Sequence, residues 1–230
     1  MILKLILMNL YYGGYIVNFF LKKGILILGL FISSPLLIPF LLTTEKETIL
    51  ADVRRWSQLL NWERKVELIN LLVLLSQKKE YINLYYYRLL QGNFIAIIFI
   101  YVLQFIYRKR SDLFIDSASK IGPGLFIQHG FSTIITADMG ENCWVNQQVT
   151  IGFKDKTGHP KVGNNVKITA GAKVVGNITI GDNVTVGANA VVVKNVPDNC
   201  VVVGVPAYIV KRNGVKVREE LVDSQDIEIL

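Results

Sequence analysis

The chain has two histidines, His129 and His159, and both stand where a regular pattern is disturbed. Imidazole is the side chain whose ordinary pKa lies closest to neutrality, so it can take a proton from a hydroxyl and release it again. His129 lies in Ile127-Gln128-His129-Gly130, at the corner of a repeat. His159 lies in Gly158-His159-Pro160-Lys161, inside an interruption of that repeat. Singly, a corner histidine bonded to backbone and a solvated loop histidine would be sufficient readings. The joint placement points to general acid–base chemistry.

The elements that must position them count in sixes. Aliphatic residues fall at Ile121, Ile127, Met139, Val145 and Ile151, with a polar miss at Thr133. The count resumes at Val162, Ile168, Val174, Ile180, Val186 and Val192. Four residues after each comes a second small or apolar residue, among them Leu125, Phe131, Ala137, Cys143, Val149 and Val166. Such a hexad repeat predicts a parallel β-helix, with three hexads to a triangular coil and two inward positions per hexad. Gly-Asp-Asn and Gly-Asn-Asn at 181–183 and 163–165 suit corners that need positive φ. The spacing alone leaves the hand of the helix open. Phe153–Lys161 carries five extra residues between Ile151 and Val162, and a loop thrown from a regular scaffold is where function usually sits. Gln147 follows His129 by 18 residues, one coil along. Gln128, Asn146 and Gln147 are therefore expected beside His129 as hydrogen-bonding groups for an acceptor.

The front half has a different character. Residues 1–113 hold 14 Lys and Arg against 7 Asp and Glu, whereas residues 114–230 hold 11 of each. Leu5–Leu21, Gly24–Thr44 and Gln91–Tyr107 carry no charge, and mean hydropathy is +0.38. A basic, apolar segment suits an anionic membrane surface rather than nucleic acid. Gly24–Thr44 is long enough to span a bilayer, but Ser33, Ser34, Pro35 and Pro39 would break or kink it. Interfacial attachment, a membrane hairpin and a buried bundle within an oligomer all remain open. Lys46–Leu90 reads as helices, and Tyr85-Tyr86-Tyr87-Arg88 as a stripe where helices meet the β-helix. The division expected is 1–113 helical and hydrophobic, 114–212 β-helix, and 213–230 a tail. Cys143 and Cys200 read as buried free thiols, with no paired-cysteine metal motif.

Gly124-Leu125-Phe126-Ile127-Gln128-His129-Gly130, Asn146-Gln147-Gln148-Val149-Thr150-Ile151-Gly152, His159-Pro160-Lys161-Val162-Gly163, Ala170-Gly171-Ala172 and Gly204-Val205-Pro206-Ala207 together resemble the serine acetyltransferase family. The resemblance covers about 115–212 and implies α+β architecture: N-terminal helices followed by a left-handed parallel β-helix of hexapeptide repeats. It implies acetyl-CoA as co-substrate, no metal, and sites shared between chains of a homotrimer. It also implies His129 as catalytic base and His159 as the second catalytic histidine. Pantetheine would run past Ala170-Gly171 and Gly187-Ala188, and Lys211 and Arg212 would meet phosphates.

Three departures stand out. Phe114 replaces the aspartate that orients the family's base, with Asp116 two residues on as a conceivable substitute. Gln128 replaces an acid, and Gly158 an arginine. The last two changes remove charge-assisted contacts to a zwitterion, about 1.5–3 kcal/mol each. An envelope or capsular saccharide hydroxyl is therefore slightly favoured as acceptor. Serine is the alternative, with Asp52 or Glu80 restoring the lost charge, and a non-catalytic scaffold is the third reading. The expected location is the cytoplasm, at the inner face of the cytoplasmic membrane.

Overall fold

A computed structural model describes residues 23–62 and 66–221. The apolar run Leu5–Leu21 and residues 222–230 lie outside it. Helix α1 spans Lys23–Leu42 and tightens to a 3₁₀ turn at Ser34–Leu36, beside Pro35 and Pro39, which lack amide donors. Then come α2 (Lys46–Leu59), α3 (Glu67–Gln77), α4 (Lys79–Leu90) and α5 (Phe94–Leu103). Asn93 caps α5, its side chain accepting from Ala96 N at 3.1 Å. Asn93 Nδ2, at the start of α5, donates to Leu42 O at the end of α1, and the Tyr107 hydroxyl, past the end of α5, donates to Ile32 O midway along α1, which sets the two helices antiparallel.

Of the Tyr85-Tyr86-Tyr87-Arg88 stripe on α4, Tyr87 and Arg88 dock on the first coil, whereas the Tyr85 and Tyr86 hydroxyls donate to Leu36 O and Tyr107 O in the helical half. The Tyr87 hydroxyl donates to Ser119 O (2.7 Å) and accepts from Ile121 N (3.1 Å). Asn83 Nδ2 donates to Leu113 O, and Trp56 Nε1 to Leu125 O, both at 2.8 Å. Asp52 and Arg88 form a buried ion pair between these layers, Nε to Oδ2 at 2.8 Å. Asp52 Oδ1 also accepts from Gly124 N at 2.7 Å, and Arg88 Nη2 donates to Gly122 O at 2.7 Å. Arg88 is held charged: burial works against the cation, and the Asp52 carboxylate outweighs it. Asp52 is therefore committed to the interlayer contact and does not supply the charge for an acceptor that the sequence reading considered.

From Leu113 the chain winds into three parallel sheets. Sheet A runs β1 (Leu113–Ile115), β3 (Thr133–Ile135), β6 (Thr150–Gly152), β9 (Lys173–Val175) and β12 (Val191–Val192). Sheet B holds β4 (Asp138–Met139), β7 (Lys161–Val162) and β10 (Thr179–Ile180). Sheet C holds β2 (Phe126–Ile127), β5 (Trp144–Val145), β8 (Lys167–Ile168), β11 (Thr185–Val186) and β13 (Cys200–Val203). It is extended antiparallel by β14 (Tyr208–Arg212) and β15 (Val215–Glu220). Within the stretch 213–230 set apart in the sequence as a tail, Val215–Glu220 thus continues sheet C. Val145, Ile151, Ile168, Val174, Ile180 and Val186 fill the prism with no exposed area. Cys143 and Cys200 are buried free thiols.

The corners differ from the even count in two respects. Ile127 pairs with Val145, eighteen residues on, but Ile134 pairs with Thr150, sixteen on. The corner at His129 therefore holds two residues more than the one stacked on it. The next corner returns them, since Ile121 bridges Met139 eighteen residues on. This explains the polar miss: the inward aliphatic residue is Ile135, opposite Ile151, and Thr133 is buried with its hydroxyl donating to Phe131 O. Phe131, expected inside, is 38% exposed. Positive φ at the corners of 163–165 and 181–183 is taken by Asn165 and Asn183 rather than by glycine. Gly163 serves close packing instead, since a Cβ there would lie 2.9 Å from Asp182 N.

Candidate active site

The edge where sheet C passes into sheet A collects most of the residues expected to act. It begins with Gln128 and His129 after β2, continues with Asn146 and Gln147 after β5, then Ala170-Gly171 after β8 and Gly187-Ala188 after β11. Backbone bonds stack these corners: Gln128 N to Val145 O (2.9 Å), Gly171 N to Gln147 O (3.1 Å), Asn189 N to Ala170 O (2.9 Å) and Val191 N to Gly204 O (3.0 Å). His129 is exposed and has φ of 66°, in the left-handed region taken at the same edge by Gln148, Gly171 and Asn189. A turn residue with its side chain thrown outward at a widened corner is how the imidazole reaches solvent. Gly171 is required here, because its φ is 75° and a Cβ would fall 2.0 Å from Asn189 Oδ1.

The polar groups around this edge carry capacity. Asn146 Oδ1 and Gln147 Oε1 are buried without a hydrogen-bond partner among the described residues. Such acceptors favour a donor from a ligand or a neighbouring subunit. The α4 start approaches the same corner: a Cβ on Gly130 would lie 2.9 Å from Glu80 Cγ. Glu80 pairs with Arg110 (3.2 Å), which also pairs with Asp112 (2.7 Å). Arg110 and Asp112 escaped the sequence reading because they belong to a segment without repeat or motif.

His159 lies elsewhere. The loop after β6 leaves sheet A at the edge it shares with sheet B, across sheet A from His129. There His159 Nε2 is 3.5 Å from Asp138 Oδ2, and its ring meets Phe153 edge-on at 5.4 Å. The Asp138 carboxyl is held below its ordinary value, chiefly by the Lys120 N–H that donates to Oδ1 at 2.9 Å, with burial opposing and His159 assisting. Asp138 was missed at the sequence level. Register finds it: once the five-residue insertion is allowed for, Asp138 pairs with Lys161, two residues past His159. Asp116 begins the corner at that same A–B edge and accepts from Ala118 N, so within one chain it stands across the sheet from His129 and does not touch it. Gly158 has φ of 145°, and a Cβ would meet Asn177 at 3.0 Å, so backbone shape demands glycine where an arginine was noted as missing. Lys211 and Arg212 lie at the far end of sheet C from the His129 edge, with Arg212 paired to Glu219 (Nε to Oε2, 3.0 Å).

Residues 159–194 match the family model for the bacterial transferase hexapeptide (six repeats). A serine acetyltransferase of Synechococcus elongatus is 42% identical over 121 residues, half of each chain. One of Staphylococcus aureus is 48% identical over 108 residues, 45% of this chain and 51% of the relative. The chain resembles the serine acetyltransferases. Their hexapeptide-repeat fold, a left-handed parallel β-helix behind N-terminal helices, is the fold here. Among solved structures, Vibrio cholerae serine acetyltransferase superposes with a TM-score of 0.60 at 26% identity, covering 80% of this chain and 72% of that one. A serine acetyltransferase in complex with CoA gives 0.55 at 26%, and the soybean enzyme complexed with serine 0.57 at 28%, each covering 73% of this chain and 70% of the other. This chain spans about half the length of the curated relatives it matches.

Proposed function

We propose that the chain is an acetyl-CoA-dependent O-acetyltransferase whose acceptor is L-serine. The observation that carries this is the single edge on which His129, Gln147, Gly171, Asn189 and Gly204 stack coil upon coil. It offers a base at one end and a run of small residues against which pantetheine can lie. His129 takes the proton of the acceptor hydroxyl as that oxygen attacks the thioester carbonyl. The C–O bond forms, the C–S bond breaks, and the CoA thiolate leaves and takes the proton from the imidazolium. Backbone N–H groups of the edge stabilise the oxyanion.

His129 and His159 stand on opposite edges of sheet A, so one active site uses His129 of one chain and His159 of the next in a homotrimer. Ala170, Gly171, Gly187 and Ala188 line the CoA path; Lys211 and Arg212 reach phosphate only where chains meet. We read the location as cytoplasmic, with the α1–α5 pair against the inner face of the cytoplasmic membrane.

The saccharide acceptor favoured by sequence gives way here. It rested on charges missing at Gln128 and Gly158, and two facts weaken that argument. The named relatives are serine acetyltransferases, one of the solved structures holding serine. A charged cluster of Glu80, Arg110 and Asp112 adjoins the His129 corner and can receive both ends of an amino acid. CoA release from acetyl-CoA, followed with L-serine and with a panel of sugars, is the test. Turnover with serine and none with sugars is expected; the reverse returns the acceptor to a saccharide.

A further inference from the structure

The α1–α5 pair buries one face and exposes the other. Leu36, Phe40, Ala96 and Ile100 pack inward, and the Tyr85 hydroxyl of α4 donates to Leu36 O at 2.6 Å. Outward, Phe31 and Phe105 are each 76% exposed, and Ile38 and Ile98 are 44% and 48% exposed. Only 22% of the most apolar stretch of α1 is buried. No Asp, Glu, Lys or Arg interrupts 24–44 or 91–107. Two neighbouring helices that show large apolar side chains along their length mark an interaction surface.

Charge identifies the occupant. The antiparallel arrangement sets the end of α5 beside the middle of α1, at Ile32, and exposed Arg108 and Lys109 follow α5 there. A concavity of about 400 Å³ lined by Gln104, Phe105, Arg108 and Lys109 joins the last apolar residues to the first cations. A second copy of this face would supply apolar area but no counter-charge for Arg108 and Lys109. A bilayer with anionic headgroups supplies both. Leu36, Phe40, Ala96 and Ile100 are packed into the protein core, so only the outer face is left for a bilayer, the arrangement of an interfacial helix.

We infer that the outer face of the α1–α5 pair is a bilayer-binding surface, lying in the plane of an anionic membrane with Arg108 and Lys109 at the headgroups. The inference deepens the membrane contact proposed above and rests on it, and it is independent of the acceptor.

The test is flotation of the full chain with vesicles. The wild type should rise with phosphatidylglycerol–phosphatidylcholine vesicles and less with phosphatidylcholine alone. A variant carrying Phe31→Glu, Ile98→Glu and Phe105→Glu should lose flotation, and one carrying Arg108→Gln and Lys109→Gln should bind anionic vesicles about thirtyfold more weakly. Circular dichroism and acetyl transfer to soluble acceptors check that the variants fold. A wild type that stays at the bottom of the gradient overturns the inference, as does a triple variant that floats like the wild type. A wild type that fails to float but forms a larger oligomer, which the triple variant dissociates, assigns the face to a second copy and overturns it too. A chain that floats yet acetylates neither serine nor sugar leaves the inference standing and removes the catalytic reading.

Discussion

The Asp138 carboxylate lies 3.5 Å from His159 Nε2 and is fixed on its other oxygen by the Lys120 N–H. Asp138 starts β4 and His159 lies near the end of a loop one coil later, so the contact forms only once the coils stack. A carboxylate on one ring nitrogen selects the tautomer and aims the other nitrogen away from the scaffold.

Asp138→Asn keeps the bond from Lys120 N and loses the charge facing His159. With serine as acceptor, kcat/KM should fall about tenfold, the lower end for one charge-assisted bond at a half-exposed site. The acetyl-CoA KM should stay unchanged, and Asp138→Glu should recover part of the loss. Equal activity of wild type and Asp138→Asn would leave Asp138 no positioning role. The sign in acid also follows. Because the folded Asp138 pKa is depressed, its stabilisation is present above the unfolded carboxylate value of about 3.9 and lost as pH falls through the folded value. The stability gap between wild type and Asp138→Asn should therefore close in acid denaturation at low pH.

His129 has a φ that asparagine tolerates, and Asn189 occupies the same edge with φ of 58°. His129→Asn thus removes the base without straining the corner. Turnover should drop by about 10²–10⁴-fold, while CoA affinity by calorimetry and the thermal midpoint stay near wild type. Near-normal turnover would place the base elsewhere.

Glu80→Gln tests acceptor recognition. It withdraws a carboxylate next to Gly130 and leaves Arg110 with Asp112. The serine KM should rise about tenfold or more, with kcat changed less. An unaltered serine KM would remove the cluster from the acceptor site.

Arg88→Met leaves Asp52 buried at 1% exposure without its guanidinium and also drops the bond to Gly122 O. The cost should be about 3–5 kcal/mol, read as a lower midpoint in chemical denaturation. A loss below ~1 kcal/mol would mean the pair does not hold the helices to the coils.

The β-helix is written plainly in the sequence because its inward positions repeat at a fixed interval and tolerate only apolar residues. Val145, Ile151 and Ile168 need no further information. What the count missed arises where corners exchange residues, so that Ile135 rather than Thr133 turns inward. The helical half shows a different limit. Hydropathy does not distinguish Leu36, which is buried, from Phe31, which is exposed, since both sit in one uncharged run. Asp138 beside His159 and Glu80 beside Gly130 are contacts between distant segments, and only register or tertiary packing brings them together.

The widened His129 corner and the shortened corner after it belong to one circuit of the prism, so the strands above keep their phase. An insertion there is tolerated when the same circuit gives up equal length, and an uncompensated one would push every later inward side chain out of step. The loop at 153–160 escapes this constraint by leaving the wall altogether. The site proposed above thus draws its base from a corner whose length is tied to its own circuit and its second histidine from a segment whose length is free to change.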